Sequence, residues 1–209
     1  MAIDDLLDEH EQSVRLQQWL RKNGGSILLG LLLGLGLLGA LNWYQGHRAR
    51  QGMAAADGYT AAVDAINAGS ADAAAKVDAI GTPAYKALAM LHLARSQVAA
   101  GKSAEAIATL KKIDTKDTEL RELTDVRLAR LYTETGSAKQ AISLLAPRKT
   151  PDALEALGDA YAADQQLEAA RKSYSDALTH MDSASASRQV VELKLTQVGG
   201  TPVVKAEAP

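Results

Sequence analysis

The side chains best suited to chemistry are few and scattered. Cysteine is absent from the 209-residue chain, which removes thiolate metal ligands, thiol nucleophiles and disulfides together. The four histidines, His10, His47, His92 and His180, lie in separate segments. None belongs to an HExxH pair or stands beside a carboxylate at ligand spacing, so no metal site is expected. Carboxylates such as Asp152 and Glu155 have no partner base that spacing identifies, and no GxxxxGK[ST], post-strand GxGxxG or GxSxG motif occurs. The glycines at 30–39 sit among leucines, whereas a phosphate-cradling loop needs polar surroundings. No cofactor and no catalysis are expected, and the residues point to binding.

The elements that would present a binding surface follow from composition. Alanine is abundant, phenylalanine absent and aromatic content only 4%, which favours helices packed through small side chains. A net charge of −2, from 23 basic and 25 acidic residues, argues against coating nucleic acid. Residues 23–46 contain no charged side chain, and Ile27 to Leu41 is almost entirely Leu and Gly. Ser26 to Tyr44 would make roughly 28 Å of helix at about 1.5 Å per residue, close to the roughly 30 Å bilayer core. Trp43 and Tyr44 at the exit read as an interfacial belt. A single transmembrane helix at 23–46 is therefore expected.

Arg15, Arg21 and Lys22 precede this span and Arg48 and Arg50 follow it, a difference of one charge that leans toward a cytoplasmic N-terminus. Ser26, Gly30 and Gly34 recur every four residues. That spacing suits packing against another membrane helix, and equally a glycine-rich anchor with no specific partner. The acidic residues 1–12 read as a solvated tail, and 13–22, with Val14, Leu16, Trp19 and Leu20, as an amphipathic interfacial helix. Residues 1–22 thus form a short tail with an amphipathic end.

Beyond residue 47, helical periods are broken by turns at Gly69, Gly101, Gly136 and near Gln165. Turns at such intervals call for a repeat search. Leu157, Gly158 and Tyr161, then Ala170, Tyr174 and Ala177, match the tetratricopeptide spacing, in which small residues let paired helices touch and aromatics fill the gaps. The same frame recurs as Leu128, Ala129, Tyr132, Gly136, Ala141 and Leu145, and as Leu93, Ala94, Gly101, Ala106, Leu110 and Ile113. A degenerate unit with Gly69 and Ala74 caps the N-terminal end over roughly 50–80, and a helix at 184–197 covers the other end. The expected fold is all-α, a tetratricopeptide-like helical-repeat solenoid over 47–198 followed by a disordered tail at 199–209.

Such a stack has a concave groove lined by first helices. The frame places Leu91, Arg95 and Val98, then Val126, Arg130 and Glu134, then Glu155 and Asp159 along it. Mixed charge over an apolar floor suits a peptide or a partner helix, so the groove, together with the covering C-terminal helix, is the expected partner interface.

The whole layout resembles the YfgM family of ancillary subunits of the bacterial SecYEG translocon. It shares the acidic tail, the aromatic-basic step into a Gly/Leu-rich span, the Trp-Tyr exit, the Leu-Ala-Arg units at 93–95 and 128–130, and a Glu-Leu-Lys-Leu end. The resemblance implies a single-pass inner-membrane protein with its N-terminus in the cytoplasm and its repeats in the periplasm. It further implies association with SecYEG and with a PpiD-like, membrane-anchored periplasmic prolyl isomerase, and a role in passing translocated chains to periplasmic chaperones. Two other roles are open: regulation of an envelope-stress response through the cytoplasmic tail, and scaffolding of another cell-envelope complex.

Overall fold

The computed structural model describes residues 2–182 and 185–201, without the side chains of 2–13, 15, 27, 49 and 51. The acidic side chains of the first twelve residues, and the tail from residue 202 onward, lie outside this description. The chain divides into two compact units, Met1–Ala54 and Ala55–Pro209.

Helix α1 runs from Ala2 to Asn67. No proline interrupts it, and glycines alone do not end a helix. The interfacial segment expected at 13–22 is accordingly part of α1, and α1 continues through residue 47 without a break. From Leu28 onward the helix is long and apolar enough to cross a membrane, and none of its most apolar window is buried by the rest of the protein. At the end of the apolar stretch, Trp43 stacks on His47 with ring centroids 5.7 Å apart, and the Arg48 guanidinium lies 5.7 Å from the Tyr44 ring centroid. Both are contacts between positions four apart on one helix face. Ser26, Gly30 and Gly34 share another face, and a Cβ added at Gly30 or Gly34 would meet nothing.

The second unit begins with the end of α1. Its Ala62, Ala65 and Ile66 pack with Ala73 and Val77 of α2 (Ala73–Asp78), with Ile80, and with Ala89 and Met90 of α3 (Pro83–Ala99). Three helix pairs follow: α3 (Pro83–Ala99) with α4 (Ser103–Lys111), α5 (Thr118–Glu134) with α6 (Ala138–Leu145), and α7 (Pro151–Ala163) with α8 (Leu167–His180). The helix expected at 184–197 is α9 (Ala186–Gln197), which packs on α8 through Val191 and Leu195. Residue 184 falls outside the described residues. Proline opens α3 and α7, where its missing N–H costs nothing.

Within each pair the first helix ends on a residue of positive φ: Gly101, Gly136 and Gln165, with Gly69 ending α1 and Gly199 ending α9. After α9, the Gly200 N–H donates to the Leu195 carbonyl, so Gly199 and Gly200 belong to the helix cap rather than to the expected tail. Gln165 occupies this left-handed position at φ 61° without glycine's freedom.

The core is built from methyl groups. Of the 31 buried apolar residues among those described, 15 are alanine, so at nearly half of the core positions the helix backbones can approach closely, with larger side chains filling the rest. One close approach is at Gly158, where a Cβ would run into the Tyr174 ring.

Candidate functional site

Among the described residues, the second unit holds a cleft whose walls come from successive pairs. α5 packs closely on α7, whereas α3 and α5 meet through side chains, Leu91 and Ala94 sharing a buried cluster with Leu110, Leu128 and Leu131, and along this seam opens a cleft of about 340 Å³. Leu91, Ala94 and Val98 of α3, Leu110 of α4 and Leu131 of α5 make its apolar lining, and Arg95, Arg127 and Arg130 stand at its edge. Positions 91, 94, 95 and 98 recur at helical spacing, so a single face of α3 supplies one wall. Positions 127, 130 and 131 do the same on α5.

The structure therefore brings Leu91, Arg95, Val98 and Arg130 together around one cleft. Val126 is not with them. It is 5% exposed and packs in the α5–α7 core with Ala129, Ala141 and Leu157, because α5 also turns a face toward α7. Glu134 is exposed at the last residue of α5 and does not line the cleft. Arg127, Ala94, Leu110 and Leu131 were not expected there from the repeat frame, although Leu110 and Ala94 are themselves frame positions.

Glu155 and Asp159 lie farther along, on one face of α7 four residues apart, where two like charges repel. A cation from the terminal helix relieves them. Lys194 Nζ of α9 donates to Glu155 Oε1 at 2.7 Å and to Asp159 Oδ2 at 2.8 Å. Arg130 Nη2 donates to the other Glu155 oxygen at 3.3 Å, and the Tyr174 hydroxyl donates to Asp159 Oδ1 at 2.8 Å. Burial tends to lower the Lys194 pKa, but hydrogen bonds and attraction from Asp159 and Glu155 outweigh it and hold the ammonium above its ordinary value. Burial, reinforced by the hydrogen bond to Asp159, pushes the Tyr174 phenol far above its usual range. A phenol so disfavoured as an anion does not act as a base near neutrality. The expected open acidic end of the groove is thus an internal network tying α5, α7, α8 and α9 together.

Among the described residues no three His, Cys, Asp or Glu side chains come together as a metal site. What the surface offers is a cleft with an apolar bottom and guanidinium edge, a shape for holding a chain segment.

A family model for a tetratricopeptide repeat-like domain matches residues 17–200. The ancillary SecYEG translocon subunit of Escherichia coli (strain K12) is 30% identical over 143 residues, 66% of this chain and 69% of that protein. No solved structure matches the chain. The helix pairs, their left-handed turns and these two likenesses agree: the chain belongs to the tetratricopeptide repeat-like family and, within it, to the YfgM family of ancillary SecYEG translocon subunits.

Proposed function

We propose that this protein is a non-enzymatic scaffold of the Sec translocon, held in the bilayer by residues 23–46 with its N-terminus in the cytoplasm and its repeats in the periplasm. The observation that carries this reading is the union, in one chain, of an exposed apolar helix and a helical-repeat unit with an open cleft. The likeness to the ancillary SecYEG subunit supports placing it beside that translocon. Anchoring confines the repeats to a thin layer at the membrane, and this raises their effective concentration near emerging chains without tight binding. The cleft docks a PpiD-like, membrane-anchored periplasmic prolyl isomerase, and the pair helps pass translocated proteins to periplasmic chaperones. The small face of Ser26, Gly30 and Gly34 serves packing against a membrane helix of that assembly.

Topology is tested by fusing a reporter active only in the periplasm after Gly200. Activity is expected, and silence with an active cytoplasmic reporter would invert the molecule. Docking is tested by Val98→Asp, which places a charge in the apolar lining at a partly exposed position. Recovery of the isomerase with the full-length protein should fall sharply, and unchanged recovery would move the interface elsewhere.

A further inference from the structure

We infer that the cleft between α3 and α5 selects a partner segment in which bulky apolar side chains are flanked by carboxylates; this rests on reading the cleft as a docking surface. At about 340 Å³ the cleft is at the small end of ligand pockets. It takes a side chain or two, not a folded domain. Its lining of Leu91, Ala94, Val98, Leu110 and Leu131 sets the apolar requirement.

The charge requirement comes from which groups are already satisfied. Along the groove the carboxylates of Glu155 and Asp159 are held by Lys194, Tyr174 and Arg130, so they neither repel an acidic segment nor attract a basic one. On α5, Asp125 is paired with Arg148, and on α4, Glu105 with Lys102. Arg95 and Arg127, by contrast, have no ion-pair partner among the described residues, and they face the cleft from opposite walls. A guanidinium presents several donors in a fixed fork that matches a carboxylate. Two unengaged forks around an apolar lining are complementary to an acidic-apolar segment and repel a basic one.

The test uses the full chain in non-ionic detergent micelles and two fluorescein-labelled decapeptides, one with a Glu-Leu-Leu-Glu core and one with Gln-Leu-Leu-Gln. Anisotropy titrations at about 50 mM salt should show the acidic peptide binding about tenfold more tightly, the sum of two exposed charge pairs. The gap should close near 1 M salt, where charges are screened over about 3 Å. Arg95→Gln with Arg127→Gln should bring the acidic peptide to the level of the neutral one. Equal binding of the two peptides to the wild type, no binding of either, or a preference surviving in the double variant would each overturn the inference. If that happens while Val98→Asp still abolishes partner recovery, charge selection fails and docking at the cleft stands. If Val98→Asp leaves recovery intact, the docking reading itself fails.

Discussion

Gly158→Ala sets two opposed effects against each other at one atom. Alanine is the better helix former by about 1 kcal/mol, which favours the variant. The new methyl, however, would overlap Cε1 of Tyr174 and stand 2.6 Å from Cδ1, about 1 Å inside ordinary carbon–carbon contact. The ring has little room to retreat. Tyr174 is 2% exposed among Leu154, Ala170, Ala177 and Val191, and its hydroxyl is fixed on Asp159 at 2.8 Å. Forcing extra methylenes into a packed core costs about 1–3 kcal/mol, and a shift that breaks the phenol hydrogen bond adds about 1 kcal/mol. The clash wins, with a net loss of about 2 kcal/mol, or roughly 4–8 °C in Tm for a unit of this size. Thermal unfolding of the full chain in detergent, followed by circular dichroism, measures it. The decisive control is the same substitution beside Tyr174→Leu. With the ring gone, Gly158→Ala should be neutral or stabilising by up to about 1 kcal/mol. Unchanged or raised stability in the wild-type background, or an equal loss in the Leu background, would refute the packing argument.

Asp117 caps α5 by accepting the N–H groups of Glu119 and Leu120 at 3.0 and 3.1 Å; Asp117→Ala should lower stability by about 1 kcal/mol in urea titration, with an unchanged slope. Tyr174 and Lys194 both hold their protons above their ordinary values of 10.0 and 10.5. Above about pH 10 the folded state therefore binds more protons than the unfolded one, and stability falls as pH rises. Tyr174→Phe should flatten the fall in Tm between pH 9 and 12, and a slope equal to the wild type would remove the tyrosine from the account. Leu35→Arg, near the middle of the apolar stretch, should cost about 2.5–3.5 kcal/mol of membrane insertion and move protein into the carbonate-extractable fraction; an unchanged membrane fraction would contradict the anchor.

The repeat frame was legible because it depends on local spacing. Gly158 with Tyr161, Ala170 and Tyr174 is a pattern of contacts within one helix pair, and the pair forms as that pattern requires. The groove was legible only in part. Leu91, Arg95, Val98 and Arg130 follow from the helical period, but whether α5 turns position 126 or 127 outward depends on how closely α7 approaches it, and no spacing encodes that approach. The fate of Glu155 and Asp159 was hidden for the same reason. Their counter-ion, Lys194, is 39 and 35 residues distant, and a lysine on a terminal helix carries no mark of what it will meet. Arg127 fell outside the frame because its neighbours Val126 and Leu128 are both core residues, and the guanidinium between them reads as an ordinary solvated charge.

The large share of alanine in the interior bears on how fast the cleft can be filled. An alanine side chain has no rotamers, so a core made of such residues has little scope to repack when the surface is loaded. The backbones of α3 and α5 should in consequence shift little when a partner arrives, and the entropy lost on association falls on the incoming segment and on the lining side chains. Association should then run as a single diffusive step steered by the arginines, with no slow isomerisation of the scaffold. Differences among partners should be expressed in how long each stays.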